Sequence, residues 1–177
     1  MKVVLHICCG VCAAGVIDRL QNEGHEVTGF FYNPNIHPPE EYERRLEVAR
    51  TVAGEFKIPL IVPPYDPGEW YEAAGGMGNE PEDGERCTVC YRLRLTRAKE
   101  YLDEVKADVF TTTLTISPRK KAETVNQVGK AVGGDSFLAR DFKKQDGFKR
   151  SIEMAKKWEL YRQHYCGCIF SIREQGR

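Results

Sequence analysis

The stretch KVVLHICCGVC, residues 2–12, decides the fold. Lys2 to Ile7 is a short, apolar, β-branched run and predicts a strand ending at Cys8. Gly10 and a helix-compatible run from Cys12 to Glu23 follow, so the segment reads as strand, tight turn and helix. Working outward, the same order returns: a strand over 25–31 (HEVTGFF), a helix over about 39–56 and a strand over 58–62 (IPLIV). In that helix Tyr42, Leu46, Ala49 and Val52 share one face. A Gly-rich polar segment, AAGGMGNEPEDGE at 73–85, reads as a surface loop. Beyond it the pattern resumes with a helix over about 88–105, a strand over 108–114 (DVFTTTL), a helix over about 118–132, a strand over 135–139 and a helix over about 148–160. Such alternation predicts a doubly wound α/β fold on a parallel sheet, a single domain over 1–177 with a Cys-bearing C-terminal tail.

A length of 177 residues suits one domain able to bury a core without disulfides. Lys and Arg together number 26, as do Asp and Glu, so net charge gives no general reason to bind nucleic acid. Any such binding must come from a local patch. No apolar run approaches membrane-spanning length, and the N-terminus lacks the pattern of a signal peptide, which predicts a cytoplasmic protein without membrane attachment. Seven cysteines in a reducing compartment point to metal ligands or redox thiols rather than structural disulfides.

In open α/β sheets ligands sit beyond the carboxyl ends of the strands. Four segments fall there: Cys8-Cys9, Asn33-Pro34-Asn35 with His37, Tyr65-Asp66, and Thr115 to Lys121. HICCGVC places Cys8 and Cys9 on a strand-to-helix turn near unpaired backbone N–H groups, which favour thiolate over thiol. RCTVC carries Cys87 and Cys90 in a spacing that lets two thiolates grip one metal or one face of a cluster. If the two pairs meet they make a four-cysteine set suited to zinc or to a 4Fe-4S cluster. Adjacent cysteines are awkward for one tetrahedral zinc, whereas a cluster offers a separate iron to each thiolate. Cys12 is left as a helix-start core residue or an extra ligand. Cys166-Gly167-Cys168 can close a small strained disulfide suited to redox cycling, add two metal ligands, or sit idle in the tail.

Ser117-Pro118-Arg119-Lys120-Lys121 reads as a helix start, Ser capping and Pro at the first position. Arg119 and Lys120 there are of the wrong sign for the helix dipole, a conflict that a bound phosphate removes. The stretch 140–157 holds seven cations, among them Lys143 and Lys144, against three carboxylates. With Phe142, Phe148 and Trp158 it could contact phosphates and stack a base, or the aromatics could simply be core. Asp141 could reach the crevice as metal ligand or proton donor, with Asp66 as the alternative carboxylate. His6, inside the first strand, reads as a core histidine.

Five ordered motifs, HICCGVC, RCTVC, TTTLTISPRKK, DFKK and YRQHYCGC, resemble the epoxyqueuosine reductases of the QueH type from Lys2 to Ser171. The first motif departs from the CCAPC of many relatives, which removes a stiffening Ala-Pro pair and leaves the thiols. The resemblance implies an adenine-nucleotide α-hydrolase-like core and reduction of epoxyqueuosine to queuosine at the wobble position of tRNA. It also implies a 4Fe-4S cluster on Cys8, Cys9, Cys87 and Cys90, a redox-active pair at Cys166 and Cys168, and an external electron donor; an additional iron ion beside the cluster is compatible with it. The tRNA would carry a queuosine-type anticodon. Two other classes compete: an ATP-dependent tRNA thiolase, which should show a Gly- and Ser-rich phosphate loop where HICCGVC stands, and a zinc-stabilised RNA-binding module without catalysis.

Overall fold

The computed structural model describes residues 1–175. Four parallel strands, β1 (Lys2–His6), β2 (Glu26–Phe30), β3 (Leu60–Ile61) and β4 (Val109–Thr112), form one sheet in the order β3-β2-β1-β4. Chain order runs outward from β1 to β3 on one side, and β4 returns on the other, so the sheet has a topological switch point between β1 and β4. The period-two alternation of β1 serves two cores. Val3, Leu5 and Ile7 pack with helices α1 (Gly10–Asn22), α2 (Pro39–Glu55) and α6 (Gly147–Lys157). Val4 faces the opposite layer, against α4 (Glu85–Val105) and α5 (Ala122–Gly133). Both faces are therefore covered, as a parallel sheet requires. No helix among the described residues is long and apolar enough to cross a membrane.

His6 is fully buried within β1. Its Nδ1 lies 2.9 Å from Thr112 Oγ1 and its Nε2 3.1 Å from the Tyr32 carbonyl, tying β1 to the chain after β2 and to β4. Burial first, and the Arg94 guanidinium second, lower its pKa to about 4, so the ring is neutral. The core-histidine expectation holds.

Several expected elements differ in extent. Strand 58–62 shrinks to two paired residues, and 135–139 contributes only a bridge between Phe137 and Phe110, because Gly133-Gly134 breaks direction just before it. The loop expected over 73–85 is preceded by an unforeseen helix, α3 (Pro67–Ala74), capped by Asp66 Oδ1 on the Gly68 N–H at 2.8 Å. The tail ends in a short helix, α7 (Ile169–Gln175). Helix α5 begins at Ala122 and not at Pro118: Ser117 Oγ accepts only from Arg119 N within a turn, and Lys121 stands at the N-cap without a side-chain bond. The expected anion site at a helix start over 117–121 is thus not formed; those residues are an irregular loop.

Helix α1 approaches α6 closely at Gly15, where a Cβ would lie 2.4 Å from Ser151 Oγ and 2.8 Å from the Gly147 carbonyl oxygen. At the start of α6 a Cβ on Gly147 would lie 1.9 Å from the Phe142 carbonyl oxygen, a backbone atom that cannot swing away. Gly147→Ala is expected to lower unfolding free energy by about 2–3 kcal/mol, as overpacking does. Gly54→Ala, where the added carbon meets nothing within 4 Å, should be neutral or slightly stabilising. Urea denaturation of both variants checks this.

Candidate active site: a cavity of thiols

A cavity of about 270 Å³ opens at the carboxyl ends of β1 and β4, at the switch point. Cys8, Cys12, Cys87, Cys90, Cys166 and Cys168 all line it. Each arrives for a local reason. Cys8 ends β1, and Cys9 is the N-cap of α1, its Sγ accepting from Cys12 N at 3.3 Å. Helix α4 starts at Glu85, three residues earlier than expected, so Cys87 and Cys90 sit one turn apart on its buried face. The segment after α6 brings Cys166 and Cys168 across the opening.

Cys8, Cys9 and Cys12 keep their sulfurs within 4.8 Å of one another, a grouping able to hold a metal ion. Its electrostatics favour one negative charge. Hydrogen bonds from Cys12, Cys9 and Thr113 hold the Cys8 thiol well below its usual pKa despite burial; the Thr113 Oγ1 to Cys8 Sγ distance is 3.1 Å. Cys9 is pushed up to about 12: a hydrogen bond from Cys12 lowers it, but donation to Cys8 and burial together prevail. Cys12 is raised by donating to Cys8 and then to Cys9. Burial raises Cys87, the neighbouring Cys166 adds to that, and the Asp83 N–H at 3.2 Å from its sulfur opposes both. Such N–H donors to sulfur are among the groups that tune thiolate-bound metal centres.

Cys166 is held well below the usual thiol value, first by the hydrogen bond it accepts from Cys168, and the charge of Lys120 adds to this against burial. Cys168 is correspondingly raised. Buried Arg94 and half-buried Lys120 supply the positive side of the cavity. Desolvation acts to lower both, yet the thiolates outweigh it: Cys90 and Cys8 raise Arg94, and Cys166 and Cys8 raise Lys120. Arg94 also donates from Nε to the Cys90 carbonyl at 3.2 Å.

The structure therefore brings together Cys8, Cys87, Cys90, Cys166, Cys168, Arg119 and Lys120 from the expected residues. Cys9 stands behind them as the helix cap, and Cys12, left undecided by the sequence, faces the cavity. Asp141, Lys143 and Lys144 do not line it. Asp141 Oδ1 accepts from Lys143 N at 3.1 Å in its own turn. Lys143 Nζ donates to the carbonyls of Thr115 and Lys120, at 3.0 and 3.1 Å, and lies 3.6 Å from Asp141 Oδ1, so it staples the loop that presents Lys120. Lys144 is exposed outside. Asp66 caps α3, and His37 packs between Trp70 and Tyr71. Sequence reasoning missed Trp70, Arg94 and Thr113. The spacing Cys90 to Arg94, one helical turn, was a signal for the second; the other two carried none.

A parallel α/β sheet with a polythiol cavity at its switch point defines the class: an α/β protein whose strand-end cavity gathers thiols able to hold a metal ion. Solved structures share the fold. A predicted subunit of tRNA methyltransferase from Methanocaldococcus jannaschii superposes with a TM-score of 0.62 at 13% identity over 100% of this chain and 89% of that one. The U34-tRNA thiolase NcsA from Methanococcus maripaludis, solved with its [4Fe-4S] cluster, gives 0.52 at 16% identity over 93% of this chain and 58% of that one. At sequence level the family described as epoxyqueuosine reductase QueH matches residues 3–174. This chain belongs to the epoxyqueuosine reductase QueH family. Its relatives of that name include those of Acinetobacter baylyi (39% identity; 99% of this chain, 83% of the relative), Streptococcus pyogenes (36%; 99% and 72%) and Thermotoga maritima (32%; 98% and 91%).

The split between Cys166 and Cys168 is measurable. In metal-free, fully reduced protein near neutral pH, iodoacetamide should label Cys166 well before Cys168, because only a thiolate attacks. Lys120→Met should slow that labelling severalfold, as followed by peptide mass spectrometry.

Proposed function

We propose that this chain is an epoxyqueuosine reductase, converting epoxyqueuosine to queuosine at the wobble position of tRNA. The observation that carries the reading is the convergence of six cysteines on one cavity at the sheet's switch point, with Arg94 and Lys120 among the cations that line it. Cys8, Cys87 and Cys90 on the cavity wall, with Cys9 behind Cys8, offer four sulfur donors beside buried Arg94 and half-buried Lys120, a set that fits an iron–sulfur cluster: sulfur ligands, compensating positive charge and an N–H donor to sulfur. Cys8, Cys87 and Cys90 are three of the ligands, and Cys9, within 4.8 Å of Cys8, is the fourth. Cys12 keeps a cavity-facing thiol outside that set, available to an additional iron ion. When bound, the cluster supplies one-electron transfers and Lewis acidity.

The remaining steps belong to side chains. Opening an epoxide to an alkene breaks two C–O bonds, consumes two electrons and two protons, and releases the oxygen as water. Oxidation of the Cys166 thiolate and Cys168 thiol to a disulfide forms one S–S bond and yields two electrons and one proton. Lys120 Nζ, on the cavity wall, delivers the second proton and is recharged from solvent. An external electron donor then returns the disulfide to dithiol. Half-buried Phe148 and Tyr165 on the cavity wall provide faces for a flipped base. Arg119 at the rim, with exposed Lys144, Lys149 and Lys156 further out, contacts the tRNA backbone. The base leaves its stack cheaply because the wobble position lies in a single-stranded loop.

Anaerobic purification tests the centre. We expect broad brown visible absorbance with about four irons and four sulfides per chain, lost in Cys87→Ala and Cys9→Ala and kept in Cys12→Ala. A colourless protein with one zinc after anaerobic reconstitution would defeat the cluster. Cys166→Ser and Cys168→Ser should retain the absorbance yet lose turnover of epoxyqueuosine tRNA by at least about a hundredfold, the scale of removing a reacting group; normal turnover would remove the pair from the reaction.

A further inference from the structure

Arg45 and Glu41 lie one turn apart on α2, at 2% and 6% exposure, far in sequence from every cysteine. Arg45 Nε donates to Glu41 Oε1 at 2.7 Å. The other two nitrogens of the guanidinium point at the tail: Nη1 donates to the Cys166 carbonyl at 2.9 Å and Nη2 to the Tyr165 carbonyl at 3.0 Å. The guanidinium also lies 5.0 Å from the centre of the Tyr165 ring. Glu41 is held in turn by Tyr161 Oη at 3.1 and 2.9 Å from its two oxygens. His37 N donates to the Gly167 carbonyl at 2.8 Å, and Ser171 Oγ to that of Cys168 at 2.8 Å. The carbonyls of Tyr165, Cys166 and Gly167 are therefore tied to distant parts of the chain, and that of Cys168 to the turn that follows it. Gly167 sits at φ +129, and a Cβ there would lie 3.1 Å from Arg45 Nη1, so glycine lets the guanidinium come close.

We propose that Arg45 is the positioning residue of the Cys166-Gly167-Cys168 pair: its fork, oriented by Glu41, fixes the backbone between the two thiols and so sets how readily they close to a disulfide. The proposal rests on the reading above that this pair is redox-active. Stability alone is a poor reason for the arrangement, since a buried ion pair is commonly no better for stability than packed apolar side chains. A planar fork with three nitrogens, each on a separate acceptor, instead defines a geometry that a lysine cannot reproduce. In a ring as small as C-x-C, loosening the intervening torsions lets the sulfurs drift apart, which lowers the effective concentration of one thiol at the other. Closure forms one S–S bond from the Cys166 thiolate and the Cys168 thiol and hands two electrons and one proton to oxidised glutathione in the assay below, whose S–S bond breaks to give two thiols with a second proton from solvent.

The test equilibrates the reconstituted protein with anaerobic glutathione buffers, quenches with acid, and alkylates free thiols. The tryptic peptide Gln163–Arg173 contains Cys166 and Cys168 and no other cysteine, so its mass reports the pair alone. In Arg45→Lys the equilibrium should move about tenfold toward dithiol, roughly 30 mV in potential, with cluster absorbance and far-ultraviolet circular dichroism unchanged. An unchanged equilibrium in folded Arg45→Lys overturns the proposal. Should that variant not fold, Tyr161→Phe, which loosens Glu41 from outside, should shift the equilibrium in the same direction, and no shift there overturns it equally. If the natural sequence forms no disulfide in this peptide at any glutathione ratio, the redox-pair reading fails first and takes the positioning role with it.

Discussion

Everything at the site depends on β1 being hydrogen-bonded in parallel on both sides, to β2 and to β4. A strand so placed must be apolar on both faces, and Val3, Val4, Leu5 and Ile7 meet that requirement. The chain runs outward from β1 through β2 to β3 on one side and returns to β4 on the other, which opens a crevice beyond the carboxyl end of β1. Cys8 is delivered there by the strand itself. Thr113 is delivered by β4, and the two meet twice, Cys8 N on Thr113 Oγ1 at 3.0 Å and that hydroxyl on the Cys8 sulfur.

Charge balance is the second constraint. Thiolates in a partly dry cavity need compensation, and here it comes from Arg94 and Lys120, whose burial is tolerated only because sulfur anions lie opposite. The cations are positioned from different layers. Arg94 is fixed by its own helix turn through the Cys90 carbonyl, whereas Lys120 rides on an irregular loop that Lys143 staples through two carbonyls. A lysine that reads as a phosphate contact thus contributes by holding the backbone of another.

The tail has no long helix to stiffen it between Trp158 and Cys168 and relies on single hydrogen bonds to older parts of the fold. Arg119 Nη1 holds the His164 carbonyl at 3.2 Å, and Tyr165 Oη donates to the His37 carbonyl. The strap packs against α4 at the cavity, where Cys166 and Cys168 share one buried cluster with Cys90 and Trp70, so the CGC motif and the RCTVC motif meet there.

The α/β class, the parallel sheet and the gathering of the cysteines at the strand ends were legible in the sequence because they rest on local signals: strand and helix periodicity, and clustered thiols with ligand-like spacing. The family resemblance rested on those same ordered motifs. Local signals also misled. Ser117-Pro118 has the composition of a helix start, but Lys143 and the turn at Arg119 hold those residues as a loop, a tertiary contact that outweighs a propensity of a few tenths of a kcal/mol per residue. Only the folded chain decided that Cys12 faces the cavity while Cys9 caps the helix, since the two lie three residues apart and their directions depend on where α1 begins. Only it placed Arg45 on the backbone of residues 165 and 166, about 120 positions away. Sequence fixes which atoms can donate and accept; which of them meet is set by the packing of helices against the sheet, and no local pattern encodes that distance.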